Sequence, residues 1–96
     1  MSRVLLDLNH PHFQDELLAL DATDLRMVGK TLRKLKRMEW HEVDRDAGLK
    51  WESIKSGDGR YSIRLSIRCR AVVRREGDYM RFQAIHLDHD STYGRK

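Results

Sequence analysis

From Arg60 to Arg75 apolar and polar side chains alternate with a period of two. Only extended backbone turns successive side chains to opposite faces, so this segment is constrained to be sheet. Ile63, Leu65, Ile67, Cys69, Ala71 and Val73 fall on one side, and Ser62, Arg64, Ser66, Arg68, Arg70, Val72 and Arg74 on the other. The run far exceeds the usual strand of about 5–6 residues. A turn is therefore expected near Ser66 to Arg68, although no glycine stands there. Glu76-Gly77-Asp78 predicts a second hairpin turn, and Tyr79 to Leu87 a last strand with Met80, Phe82 and Ala84 on one face. Upstream, Ser56-Gly57-Asp58-Gly59 reads as a turn, and Gly48 to Ile54 places Leu49, Trp51 and Ser53 on one face.

The N-terminal half has a different period. Arg3 to Leu8 reads as a short strand, with Val4, Leu6 and Leu8 on one side. Asn9 or His10 can cap a following helix, with Pro11 in its first turn and Phe13, Leu17 and Leu20 at helical spacing. Asp21 to Asp24 breaks the pattern, and Thr23 is the expected N-cap of a second helix. Its apolar stripe is Leu25, Val28, Leu32, Leu35 and Met38, and Arg26, Lys30, Arg33, Lys34 and Arg37 lie opposite. The element order is β-α-α-β-β-β. The expected fold class is α+β: an N-terminal strand, an antiparallel helical hairpin and a C-terminal three-stranded antiparallel meander, with the helices on one face of the sheet. The 96 residues make a single domain, 1–96.

Charge then narrows the function. The net charge is +4 and the pI about 9.5, but the excess is local. Met1 to Asp24 carries one cation against five acids, whereas Lys50 to Arg81 carries nine cations against four. Such a half-molecule suits a polyanion. No apolar run approaches the ~20 residues of a membrane span, so no membrane association is expected. The opening residues lack the apolar core and cleavage site of a secretory leader. A single cysteine forms no internal disulfide, and a cytoplasmic location follows as an expectation.

Arg64, Arg70 and Arg74, with Lys55 upstream, place several cations on one sheet with few acids nearby to pair them. Such arrays repel themselves unless an anion, commonly phosphate, sits among them. Exposed sheet faces also carry Arg and Lys merely to protect edges. His86, at the end of the last strand beside the arginines, is a candidate general acid or base. His86 and His89 with Asp88 and Asp90 also resemble a partial metal set. Zinc needs a further ligand, and the basic surroundings oppose a dication. No metal and no other cofactor is expected. Cys69 reads as a small buried hydrophobe, and Trp40 and Trp51 as core or core-edge packing.

The order strand, helical hairpin and antiparallel strands resembles the RelE/ParE toxin superfamily of bacterial toxin–antitoxin modules. The segment TyrSerIleArgLeuSerIleArgCysArgAlaValVal (61–73) is similar to that superfamily's paired-strand signature, in which one arginine ends a strand and another opens the next. GlyAspTyrMetArgPheGlnAlaIleHis (77–86) and AspHisAspSerThrTyr (88–93) resemble its last strand and C-terminal His/Tyr segment. This chain has Ser62-Ile63-Arg64 where an Arg-x-Arg is usual. The resemblance implies a ribosome-dependent mRNA endoribonuclease, or mRNA interferase. In such an enzyme a 2′-hydroxyl attacks the adjacent phosphate and leaves a 2′,3′-cyclic phosphate without metal. Carried over, Arg64 and Arg70 stabilise the phosphorane, His86 is general acid or base, and Tyr93 orients a base. Lys55, Arg68, Arg74 and Arg81 bind the RNA backbone, with His89 and Glu52 as alternate acid/base groups. The implied partners are the ribosome, mRNA and a cognate antitoxin, which forms a toxin–antitoxin hetero-oligomer. The alternatives are a ParE-like, non-enzymatic inhibitor of DNA gyrase and an inactive member that only binds nucleic acid or antitoxin. The conjunction of Arg64, Arg70, His86 and Tyr93 favours the nuclease.

Overall fold

The alternating segment folds as two strands. In the computed structural model, which describes residues 2–55 and 58–87, β3 (Arg60–Arg64) and β4 (Cys69–Glu76) pair antiparallel around a turn at the expected place. The turn does without glycine because Ser66 supplies the missing contacts. Its Oγ accepts from the backbone N–H of Arg68 (3.3 Å) and Cys69 (3.1 Å), a side-chain turn that needs no left-handed residue. The turn also ends the alternation: Leu65 is buried, but Ile67, expected on the same face, is 74% exposed at the tip.

The other elements are β1 (Leu5–Asp7), α1 (Pro11–Leu18), α2 (Ala22–Lys36), α3 (Trp40–Val43), β2 (Glu52–Ser53) and β5 (Tyr79–Leu87). The expected order is thus extended by one helical turn, α3, and by one short strand, β2. The sheet has five strands in the order β1-β5-β4-β3-β2, so the C-terminal meander has four strands rather than three. β1 lies parallel to β5, pairing Leu5 with Tyr79 and Asp7 with Arg81, because the helical hairpin returns the chain to the opposite edge. The cap of α2 also differs from expectation. Asp21, not Thr23, is its N-cap, and its carboxylate accepts from Asp24 N at 2.8 Å. α1 begins at Pro11 after His10, which makes no side-chain cap bond.

The helices cover one face of the sheet, as expected. Phe13, Val28 and Leu35 are buried against Ile63, Ala71, Val73, Met80 and Phe82, and the Phe13 and Phe82 rings lie 5.2 Å apart. Cys69 is buried in the same core, where loss of solvent pushes its thiol above the ordinary range and keeps it unreactive. No helix among the described residues is long and apolar enough to cross a membrane.

One irregularity determines what the far end of β5 can do. Val72 pairs with Ala84 but Val73 pairs with Phe82, so Gln83 is an extra residue in β5. This bulge reverses the phase of the strand. Met80 and Phe82 point into the core, and after Gln83 the buried residue is Ile85 rather than Ala84. His86, which unbroken alternation would send to the core side with Phe82, turns instead to the open face beside Arg70. β1 ends opposite Arg81, so among the described residues the end of β5 has no strand on that side. There the Ile85 N–H donates to the Glu16 carboxylate of α1 at 2.7 Å. Replacing Glu16 by Leu leaves this N–H unmet and is expected to cost about 1–3 kcal/mol, read as a lower thermal midpoint. An unchanged midpoint would show that Glu16 does not hold the strand.

Candidate active site

The open face carries two basic rows that run across the strands. The first joins Arg60, Arg74 and Arg81 through the pairs Arg60–Arg74 and Arg74–Arg81. The second joins Arg64, Arg70 and His86 through the pairs Arg64–Arg70 and Arg70–His86. Directly opposed residues have Cβ atoms about 4.5–5.5 Å apart, so each row spans roughly 10 Å. Four residue steps along β3 lead from Arg60 to Arg64, which places the rows about 13 Å apart.

Acids divide the two rows sharply. In the first row Arg60 pairs with Asp58 at 3.1 Å and Arg74 with Glu76 at 3.3 Å. Arg81 is held by Asp7 and, at 2.7 Å, by Glu76, whose bond pushes the guanidinium above its ordinary range. These arginines are neutralised within the fold. The expectation that few acids stand near Arg64, Arg70 and Arg74 fails at Arg74, whose guanidinium meets Glu76 at the end of its own strand. In the second row the nearest carboxylate among the described residues is Glu52 of β2, 3.8 Å from Arg70 and 67% exposed. Arg64 is less satisfied still: its Nε is buried without a hydrogen-bond partner. A buried donor left unmet costs about 1–3 kcal/mol.

Two connections hold Arg64. Its backbone N–H donates to Leu49 O at 2.7 Å, and Thr31 of α2 donates to the neighbouring Leu65 O at 2.5 Å. The Leu49 loop is fixed in turn by Asp46, whose carboxylate accepts from Gly48 N at 2.9 Å and binds Lys34 at 2.6 Å. The Lys34 ammonium holds the Asp46 carboxyl below the usual carboxylate range. A cleft of about 420 Å³ opens at this end of β3, lined by Arg64, Lys30, Lys34, Thr31 and Leu49 among others. Lys50, the next residue, has a φ of 47°, a left-handed conformation that costs a non-glycine residue about 1–3 kcal/mol.

No family model matches the sequence, and no curated protein is similar to it. Solved structures are similar in fold. One is a RelB–RelE antitoxin–toxin complex from Methanococcus jannaschii, with a TM-score of 0.57 and 16% identity over 88% of this chain and 89% of that one. Another is YafQ from E. coli, at 0.57 and 13% over 95% and 99%. A third is the YoeB dimer from Staphylococcus aureus, at 0.55 and 18% over 88% and 97%. The chain has the RelE-like toxin fold.

Within this RelE-like fold the residues singled out from sequence fall into three groups. Arg64, Arg70, His86 and Glu52 converge on the open face; Glu52 pairs in register with Ser62, which shares that face. Arg74 and Arg81 lie in the acid-paired row. Arg68 sits in the β3–β4 turn, 4.0 Å from Asp24 of α2, and Lys55 lies beyond β2, towards the opposite end of β3 from Arg64. His89 and Tyr93 lie outside the described residues. Lys30, Lys34 and Lys50 are brought to the Arg64 end without having been singled out. The helical period puts Lys30 and Lys34 on a basic face but does not say that this face borders Arg64, and nothing in the sequence marks Lys50 as left-handed.

The Asp46–Lys34 pair makes a pH-dependent prediction. The Asp46 carboxyl has a lower pKa folded than unfolded, so its contribution is present above about pH 4 and is lost as pH falls through the folded value. Asp46→Asn keeps an acceptor for Gly48 but loses the charge. It is expected to destabilise by no more than about 1 kcal/mol at pH 7, Lys34 being half exposed, and by less at pH 3, measured by urea unfolding. An equal cost at both pH values would contradict the charge pairing.

Proposed function

We infer that the open-face row is an RNA-cleaving site and that the chain is the toxin of a type II toxin–antitoxin pair, acting as a ribosome-dependent mRNA endoribonuclease. The observation that carries this reading is the alignment of Arg64, Arg70 and His86 in one register row, with the Arg64 Nε buried and unpartnered. Two guanidinium groups side by side suit the non-bridging oxygens of one phosphate, which they grip through planar donor pairs.

The chemistry follows from the substrate's own hydroxyl. The 2′-oxygen bonds to the adjacent phosphorus as the bond from phosphorus to the 5′-oxygen breaks, leaving a 2′,3′-cyclic phosphate and a free 5′-hydroxyl. One proton leaves the 2′-oxygen and one reaches the 5′-oxygen, so the site needs a base and an acid on opposite sides of the phosphorus. Glu52 and His86 flank Arg70 from opposite directions across the sheet, on β2 and β5. Arg64 and Arg70 stabilise the extra charge on the phosphorane. Loss of a single such donor typically costs about 10²–10³ in rate. His89 and Tyr93 complete the set on the family's pattern, as further acid/base group and base-orienting ring.

An antitoxin partner is part of the same reading. The M. jannaschii neighbour is an antitoxin–toxin complex, and the S. aureus fold relative also occurs in a YoeB–YefM complex. An acidic segment laid over Arg64 and Arg70 would supply the carboxylates that, among the described residues, only Glu52 brings to the second row, and would exclude RNA.

The test is induced expression in a bacterium with message ends mapped by primer extension, comparing wild type with Arg64→Ala and His86→Ala. Wild type is expected to stop growth and produce cuts phased to the ribosomal A site, with both variants at least about 100-fold weaker. Growth arrest without cuts, accompanied by filamentation and DNA damage, would instead establish the gyrase-inhibitor reading.

A further inference from the structure

On the helix side of the same sheet edge lies a different kind of site. Trp40 of α3, Trp51 and Tyr61 form a continuous aromatic wall. Trp51 stacks on Tyr61 with centroids 4.4 Å apart and planes at 12°, and Trp40 meets Trp51 edge-on at 5.6 Å. The wall borders a cleft of about 740 Å³ whose rim carries His41, Arg45 and Arg75 against one carboxylate, Asp44. The Arg75 guanidinium carbon lies over the Trp40 ring, 4.0 Å from its centroid, and its Nε–H donates to Gly77 O. Its remaining donors are left at the rim, because an arginine has five.

We propose that this cleft is a second nucleotide-binding site, in which a base of a single-stranded nucleic acid extends the Trp51–Tyr61 stack while Arg45 and Arg75 hold its phosphate. That the nucleic acid is RNA rests on the cleavage reading above. Two features select a nucleotide over a simple anion or an apolar peptide. A stacked aromatic pair accepts any further flat ring, since every base presents a π face. The cationic rim matches the phosphate that such a base carries. The cleft also has a geometric relation to the arginine row. Glu52 of β2 shares the open face with Arg70, while its neighbours Trp51 and Ser53 line the cleft on the other side. Strand β2 is the sheet edge, so a single strand passing around it would place one phosphate at Arg64 and Arg70 and a neighbouring nucleotide against Trp51 and Tyr61.

The two tryptophans of the chain are both in this wall, so its own fluorescence reports occupancy. The probe is a 2′-O-methyl adenosine hexamer, which stacks and carries phosphate but lacks the hydroxyl needed for cleavage. It is expected to quench wild-type fluorescence saturably, where inorganic polyphosphate of equal charge does not. Tyr61→Leu, which keeps both tryptophans, should weaken binding about ten-fold, the size of one lost base–aromatic stack. Arg45→Ala changes an exposed side chain and tests the phosphate contact independently of folding. It should weaken binding and lower the slope of log affinity against log salt by about one. Quenching by polyphosphate as strong as by the hexamer, or quenching abolished by Arg70→Ala yet untouched by Arg45→Ala and Tyr61→Leu, would overturn the proposal. A deoxyadenosine hexamer bound better than its RNA counterpart would support the cleft as a nucleotide site while counting against the RNA reading. Loss of cleavage in cells with quenching intact would do the same.

Discussion

The site depends on one extra residue in β5. Gln83 interrupts the pairing with β4, and everything after it changes face. The consequence is chemical. A strand in unbroken alternation would carry His86 to the core side with Met80 and Phe82, where an imidazole has no work and no partner. With the bulge, Ile85 fills the core and the imidazole stands beside Arg70. Bulges tend to occur where a side chain must be re-aimed, and this one is anchored by the Glu16 contact to Ile85. Fold stability and site geometry therefore share a residue on α1 that touches neither RNA nor arginine.

The second organising feature is the uneven supply of acids. The same face carries basic residues in two rows. In one, Asp58, Glu76 and Asp7 neutralise all three arginines; in the other, among the described residues, a single exposed glutamate stands off at 3.8 Å. Arg64 of the second row has a buried donor unmet among the described residues, whereas the three arginines of the first row are engaged. Loop 46–50 adds to the contrast. Asp46 and Lys34 pin it, Leu49 fixes the Arg64 backbone, and Lys50 holds a strained left-handed conformation at the rim. The left-handed Lys50 and the unmet Arg64 donor lie at the same end of β3.

Much of this was legible in the sequence. The period-two run from Arg60 to Arg75 announced β3 and β4, and it put Arg64 and Arg70 on the face opposite Ile63 and Ala71. The turn was placed correctly without glycine, and the helical stripe of Val28 and Leu35 located the core face of α2. The missing parts share a physical cause: they depend on contacts distant in sequence. The bulge at Gln83 has no local signature, so Ala84 was expected on the core side and Ile85 was not. The pairing of Arg81 with Asp7 needs the parallel contact of β1 with β5, and strand order is not written in either strand. α3 and β2 are too short for a period to declare itself. Lys30 reached the Arg64 cleft only through the packing of α2 over the sheet.

The central claim is that Arg64, Arg70 and His86 form one phosphate-binding unit created by the bulge. It is tested most directly by following the imidazole resonances of His86 by NMR while a non-cleavable 2′-O-methyl dinucleotide is added. The account predicts saturable movement of the His86 ring signals with those of His10 and His12 still, and loss of that movement in Arg70→Ala. His86 signals that stay in place as the dinucleotide binds, or that move equally in Arg70→Ala, would contradict it.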